Sequence, residues 1–115
     1  MRIEKINELI KQELSKVLLE NIEFEPGILV TITNVETSED VKHAKVWVSV
    51  FPENRAGEIL RILNQAIGSI QGILNRKLVL KFVPRISFEI DKSASYAANI
   101  EKVFKEIEEE KNIDN

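Results

Sequence analysis

No cysteine occurs anywhere in the chain, which excludes disulfides, thiolate zinc sites and thiol catalysis. There is a single histidine, His43, so no metal-spaced histidine pair exists, and neither a G-x-S-x-G elbow nor a P-loop or dinucleotide fingerprint is found. Prolines number three and glycines four, too few for a collagenous or low-complexity chain. Long apolar runs are also missing. The N-terminal MRIEKINELIKQELSKVLLE is interrupted by charge every few residues, unlike a signal peptide, and no later stretch is apolar enough to span a membrane. The expectation is a cytoplasmic protein with no membrane association, no cofactor, no metal and no small-molecule substrate.

What is present fits one ordinary globular domain: 115 residues, 43% hydrophobic and 30% charged, enough to bury a core without staples. Net charge is −3, but its distribution is uneven. Residues 101 to 115 carry six acids against three bases, while residues 1 to 100 carry thirteen of each. From Ile59 to Phe88 there are five bases, Arg61, Arg76, Lys77, Lys81 and Arg85, and no acid. A basic segment in an acidic protein is the footprint that phosphate backbones attract, although a buried helix would also be poor in acids.

Apolar residues at Ile3, Ile6, Leu9, Ile10, Leu14, Val17 and Leu18 predict a helix from about residue 2 to 20. Pro26 and Gly27 mark a turn. LVTITNV (29 to 35) and AKVWVSVF (44 to 51), separated by the short polar TSED, predict an antiparallel hairpin ended by Pro52. A helical region from about 54 to 78 follows, with Asn54 as a candidate N-cap, and VPRISFEID (83 to 91) alternates as a third strand. Ser93 or Ser95 then precedes a last amphipathic helix marked by Tyr96, Ile100, Val103, Phe104 and Ile107. The expected domain spans residues 1 to 108, with 109 to 115 a short acidic tail lacking fixed structure. The fold class is α+β, helices layered on a three-stranded sheet.

Candidate chemistry is sparse. Asp40 and His43 lie close in sequence at the start of strand two, where such a pair is normally just solvated, and no enzymatic activity is expected. Trp47, Phe51, Phe82 and Phe88 are read as sheet-face core rather than stacking platforms. Attention falls on NQAIGSIQG (64 to 72), which puts Gly68 and Gly72 inside the longest helical pattern. Each costs about 1 kcal/mol relative to alanine. Either the glycines admit a closely packed neighbouring helix, or the chain bends at Ala66-Ile67-Gly68 and a new helix starts near Ser69, capped by its hydroxyl. A fresh helix N-terminus binds phosphate well.

Strand, helix, kink, helix, strand, with a helix and strand in front, resembles a type II KH domain, in which a GxxG loop clamps a nucleic-acid backbone. Here the loop reads Ala66-Ile67-Gly68. With the ITNVETSEDVKHAKVWVSV hairpin before it and VPRISFEID after, the chain resembles the ribosome-binding factor A family over residues 2 to about 108. That resemblance implies a non-catalytic, monomeric assembly factor that binds the free small ribosomal subunit through its 16S rRNA during late maturation, often with greatest importance in the cold. Combined with the positive helix end and the basic stretch, the leading expectation is phosphate held at Ala66, Gly68, Ser69 and Gln71, with Arg61, Arg76, Lys77, Lys81 and Arg85 as electrostatic contacts and Arg2, Lys5, Lys42 and Lys45 as weaker ones; base readout is expected to be minor. Family members commonly carry arginine three residues after the kink's glycine, and here Gln71 stands there. The rival expectation is a protein-interaction module in which both glycines serve close helix packing and the acidic C-terminal helix is the contact face.

Overall fold

The computed structural model describes residues 2 to 92, so the last amphipathic helix and the acidic tail lie outside the described residues. Three helices and three strands follow one another as α1 (Ile3–Asn21), β1 (Leu29–Thr37), β2 (His43–Phe51), α2 (Ala56–Gln65), α3 (Ile67–Lys77) and β3 (Arg85–Ile90). The sheet order is β1-β2-β3, with β1 antiparallel to β2 and β2 parallel to β3.

Helix α1 buries Ile6, Ile10, Leu14, Val17 and Leu18, the stripe its sequence period demands. It ends where Ile22 turns extended, and Gly27 supplies the left-handed φ of +91° that the following turn needs. In the hairpin, Leu29 pairs with Phe51 and Thr37 with Ala44. A bulge between Ile32 and Asn34 frees the Thr33 hydroxyl to donate to Asp91 Oδ2 at 2.6 Å, tying β1 to the end of β3. Asn7 fastens α1 to the sheet: its Oδ1 accepts from the Thr37 amide at 2.9 Å and from the Thr37 hydroxyl at 2.5 Å.

Ala44, Val46, Val48 and Val50 face the helices from β2, Ile86 and Phe88 from β3, and Ile59, Leu63, Ile70 and Leu74 come down from α2 and α3. Among the described residues the core contains no polar side chain. The opposite sheet face, carrying Lys45, Trp47, Ser49 and Phe51, stays partly or wholly open.

Several expectations need correction. Asn54 does not cap α2: a single 3-10 turn, Glu53–Arg55, leads into the helix, whose N-cap is Arg55 with no side-chain cap bond. Arg55 instead pairs with Glu58 at 2.6 Å and Glu25 at 3.0 Å. These carboxylates, Glu25 first, raise its already high pKa. Of the four aromatics read as core, only Phe88 is buried; Trp47 is half-buried, Phe51 lies on the open sheet face and Phe82 stands in the loop before β3.

Asn7→Ala is expected to destabilise the fold by about 1–2 kcal/mol, because two Thr37 donors lose their acceptor together. Urea unfolding with an unchanged m-value checks this, and Asn7→Asp, which keeps the acceptor, should recover most of the loss.

Candidate nucleic-acid interface

The bend falls on Ala66. Its φ of −94° and ψ of 1° lie in the bridge region, open to any L-residue, and it belongs to neither α2 nor α3. The backbone ladder runs through Ala66 N to Ile62 O at 3.1 Å and resumes with Ile70 N to Ala66 O at 2.9 Å. Between those bonds lie the amides of Ile67, Gly68 and Ser69, the first turn of α3. Such amides have no acceptor a turn earlier in a regular helix, and the helix dipole makes this end positive.

This geometry revises the reading of the glycines. Neither is the hinge, since Gly27 is the one glycine with positive φ among the described residues. Helix α3 starts at Ile67, two residues before Ser69, and its N-cap Ala66 makes no side-chain cap bond, so Ser69 is an exposed first-turn residue rather than a cap. A Cβ placed on Gly68 would meet nothing within 4 Å. One placed on Gly72 would meet only the Arg76 guanidinium, with Nη1 at 3.7 Å. Among the described residues no neighbouring helix packs on either glycine, so close packing within them does not explain the pair.

Gly72 has a different relationship, one that sequence reasoning missed. Side chains on a helix lean toward its N-terminus, so Arg76 lies back over the turn that Gly72 leaves bare. Ser69, Gly72 and Arg76 follow at i, i+3 and i+7 and share the outward face, opposite the buried Ile70 and Leu74. The guanidinium thereby lies beside Gly72, one turn back along the helix.

Gln71 has its side chain committed elsewhere. Its Oε1 accepts from the Ile86 amide at 2.8 Å, and its Nε2 donates to Pro84 O at 3.1 Å and to Asn75 Oδ1 at 3.0 Å. It imitates a neighbouring strand along the free edge of β3, a structural duty that leaves it little to offer a phosphate. Nothing local in the sequence signals this, because the partners are 13 and 15 residues away.

Arg61, Arg76, Lys77, Lys81 and Arg85 are all exposed. Ion pairs join Lys16 with Glu13 and Arg55 with Glu25 and Glu58, and among the described residues none is found to any of those five. Arg76 and Lys77 close α3, and Arg61 lies on the solvent side of α2. Lys42 and Lys81 share one cavity, and Lys42 O accepts from the Arg85 amide at 2.9 Å, which gathers Lys42, Lys81 and Arg85 at the end of the sheet where β2 and β3 begin. Arg2 and Lys5 share a hollow with Glu4 and Glu8, which offset their charge. Lys45 is not brought to the joint: it sits on the open sheet face, across from Glu36, with Nζ 5.5 Å from the Trp47 ring centre.

An antiparallel hairpin whose second strand pairs in parallel with a third, the crossover being two helices bent at an Ala-x-Gly joint, defines a type II KH-like α+β domain. Within that class the chain belongs to the ribosome-binding factor A family, whose model matches residues 2–104. It is 40% identical over 108 residues to ribosome-binding factor A of Coprothermobacter proteolyticus, covering 94% of this chain and 79% of that protein. The crystal structure of ribosome-binding factor A from Thermus thermophilus superimposes with a TM-score of 0.63 at 25% identity, over 78% of this chain and 97% of that one. A homology model of the Thermus thermophilus factor, fitted into a cryo-EM map of its complex with the 30S subunit, gives a TM-score of 0.55 at 27% identity, over 73% and 93% of the two chains.

Because both glycines have negative φ and room for a methyl group, Gly68→Ala and Gly72→Ala should each stabilise the protein by about 0.5–1 kcal/mol. Thermal or urea denaturation reads the effect, and a loss of stability in Gly68→Ala would mean the joint needs glycine for its own sake.

Proposed function

We propose that this protein is a non-catalytic ribosome assembly factor that binds the free small ribosomal subunit through its 16S rRNA and acts in late maturation. The observation that carries the reading is the bare first turn of α3. Among the described residues Gly68 faces open space there, a second glycine, Gly72, follows one turn on with only the Arg76 guanidinium near it, and cations without an ion-pair partner flank the same helix. An outside group that must come close to the backbone explains all three, and a phosphate matches the positive helix end. Membership of a family named for ribosome binding, and a relative fitted into the map of a 30S complex, support the same partner.

In this reading the amides of Gly68 and Ser69 receive a phosphate and Arg76, lying over Gly72, supplies a charge-assisted contact. Lys77, Lys81, Arg85 and Arg61 attract the backbone more diffusely. These contacts position the RNA and carry no sequence information by themselves. The reading also has the domain act as a monomer in the cytoplasm. Among the described residues no helix is long and apolar enough to cross a membrane, and no cluster of three or more His, Cys, Asp or Glu could hold a metal ion. The rival interaction-module reading put close helix packing at the glycines and its contact face on the acidic C-terminal helix; no such packing is found among the described residues, and the C-terminal helix lies outside them.

Co-sedimentation with dissociated and joined subunits tests the proposal, with binding expected to free small subunits alone and to weaken steeply with salt. The double variant Arg76→Ala, Lys77→Ala should lower the log–log salt slope by about 2, one for each phosphate that the variant no longer neutralises. Equal affinity for free subunits and joined ribosomes, or a slope unchanged in the double variant, would count against it. Gly68→Ala should weaken binding even as it stabilises the fold.

A further inference from the structure

Away from the joint, at the end of the sheet where β2 and β3 begin, the surface holds a cavity of about 590 Å³. That is within the range of small-molecule sites, about 300–1,000 Å³. Its walls are Ile6 of α1, the hairpin turn from Asp40 to Lys42, and the loop from Leu80 to Val83; no residue of α2 or α3 lines it. Three features distinguish it from an ordinary surface hollow.

The first is an exposed aromatic ring. Phe82 keeps 73% of its surface in solvent although the half-buried Leu80 and Val83 sit beside it, and Lys81 Nζ lies 5.7 Å from the ring centre. The second is strain: Val41, a β-branched residue, is held at φ +60°, a left-handed conformation that such residues avoid. The turn enforces it through Val41 N to Ser38 O at 2.9 Å and Ser38 N to His43 O at 2.8 Å, which puts Val41 in the cavity wall.

The third is a fixed carboxylate. Asp40 Oδ1 accepts from the Ser38 hydroxyl at 2.6 Å and from the Lys42 amide at 3.0 Å, while Oδ2 has no partner among the described residues. Those two hydrogen bonds, the hydroxyl's first, hold the carboxyl below the usual aspartate range. Asp40 is therefore acceptor-only at neutral pH, in a cavity whose other charged residues among those described are Lys42 and Lys81.

A flat ring surface, an oriented acceptor and two cations together match one nucleotide. We propose that this cavity takes a single unstacked, amino-bearing nucleobase of single-stranded RNA, its ring against Phe82 and Val41, its exocyclic amine donating to Asp40 Oδ2, and its phosphate held by Lys42 and Lys81. The inference rests on the RNA-binding reading above and adds a base contact to a grip that otherwise reads only phosphates. Adenine, guanine and cytosine carry an exocyclic amine, and where cytosine presents its N4 amine uracil presents the O4 carbonyl oxygen, which Asp40 would repel.

Cytidine and uridine 5′-monophosphate are the probes, titrated at low salt into the 15N-labelled full chain and followed by amide chemical shifts. Shifts are expected at Val41, Lys42 and Leu80 to Val83, with the cytidine nucleotide bound about fivefold more tightly, the worth of one hydrogen bond. Asp40→Asn keeps the Oδ1 acceptor that the turn needs and puts a donor in place of Oδ2, so it should reverse the preference toward uridine. Phe82→Ser changes an exposed ring and should weaken both nucleotides without unfolding the protein. Absence of shifts at these residues, or equal affinities in both the parent and Asp40→Asn, overturns the proposal. So do contacts in the full chain between Phe82 and residues 93 to 115, which would assign the cavity to the protein's own C-terminal segment. Failure of the cavity with subunit binding intact leaves the ribosomal reading standing; nucleotide binding without subunit binding does the reverse.

Discussion

Parallel pairing of β2 with β3 obliges the chain to travel back from Phe51 to Arg85, because Arg85 lies beside His43 at the opposite end of β2. The shared ladder, His43 to Val48 against Arg85 to Ile90, is only about 20 Å long. The helical stretch available for the return, Ala56 to Lys77, would measure about 33 Å as one straight rod. Bending at Ala66 divides it into two segments of about 15 and 16 Å, so that Ile59 and Leu63 on one and Ile70 and Leu74 on the other enter a single core. A consequence of this packing solution is a new helix N-terminus, turned out of the core with Gly68 and Ser69 at its tip.

Once the joint exists, the remaining features of the surface can be weighed against it. The two glycines of α3 cost about 1–2 kcal/mol together, an appreciable share of a small domain's net stability. The fold gains nothing visible in return at Gly68 and gains only room for the Arg76 guanidinium at Gly72. The free edge of β3 poses a separate problem, and Gln71 answers it by bonding the Ile86 amide and the Pro84 carbonyl. The Arg76 guanidinium, by contrast, lies over Gly72 on the outward face of the same helix. Helix α3 thus has two faces, with Gln71, Ile70 and Leu74 turned inward and Ser69, Gly72 and Arg76, the proposed contact residues, outward.

Elements with strong periodicity were legible in the sequence. The α1 stripe, the hairpin around TSED and the alternating β3 all fall within one or two residues of expectation. The break at Ala66 to Gly68 was legible too, chiefly through resemblance to a family with an Ala-x-Gly joint. Local signals misled where tertiary neighbours decide: Asn54 and Ser69 have good capping chemistry, yet a 3-10 turn and an earlier helix start passed them by. Phe82 looked like strand core because the sequence does not say that the strand begins only at Arg85. Neither the left-handed Val41 nor the cavity beside it has any sequence signature, since both arise from bonds across the turn and from the approach of α1 and the β3 loop.

The central claim is that the outward face of α3, from its first turn to Arg76, is where the RNA backbone meets the protein. Amide hydrogen exchange of the full chain, compared with and without saturating free small subunits, tests it directly. Protection is predicted to concentrate in residues 67 to 77, strongest at Gly68 and Ser69, with the buried strand β2 unchanged. Protection confined to the open sheet face around Lys45 and Phe51, with residues 67 to 77 exchanging as in the free protein, would contradict it.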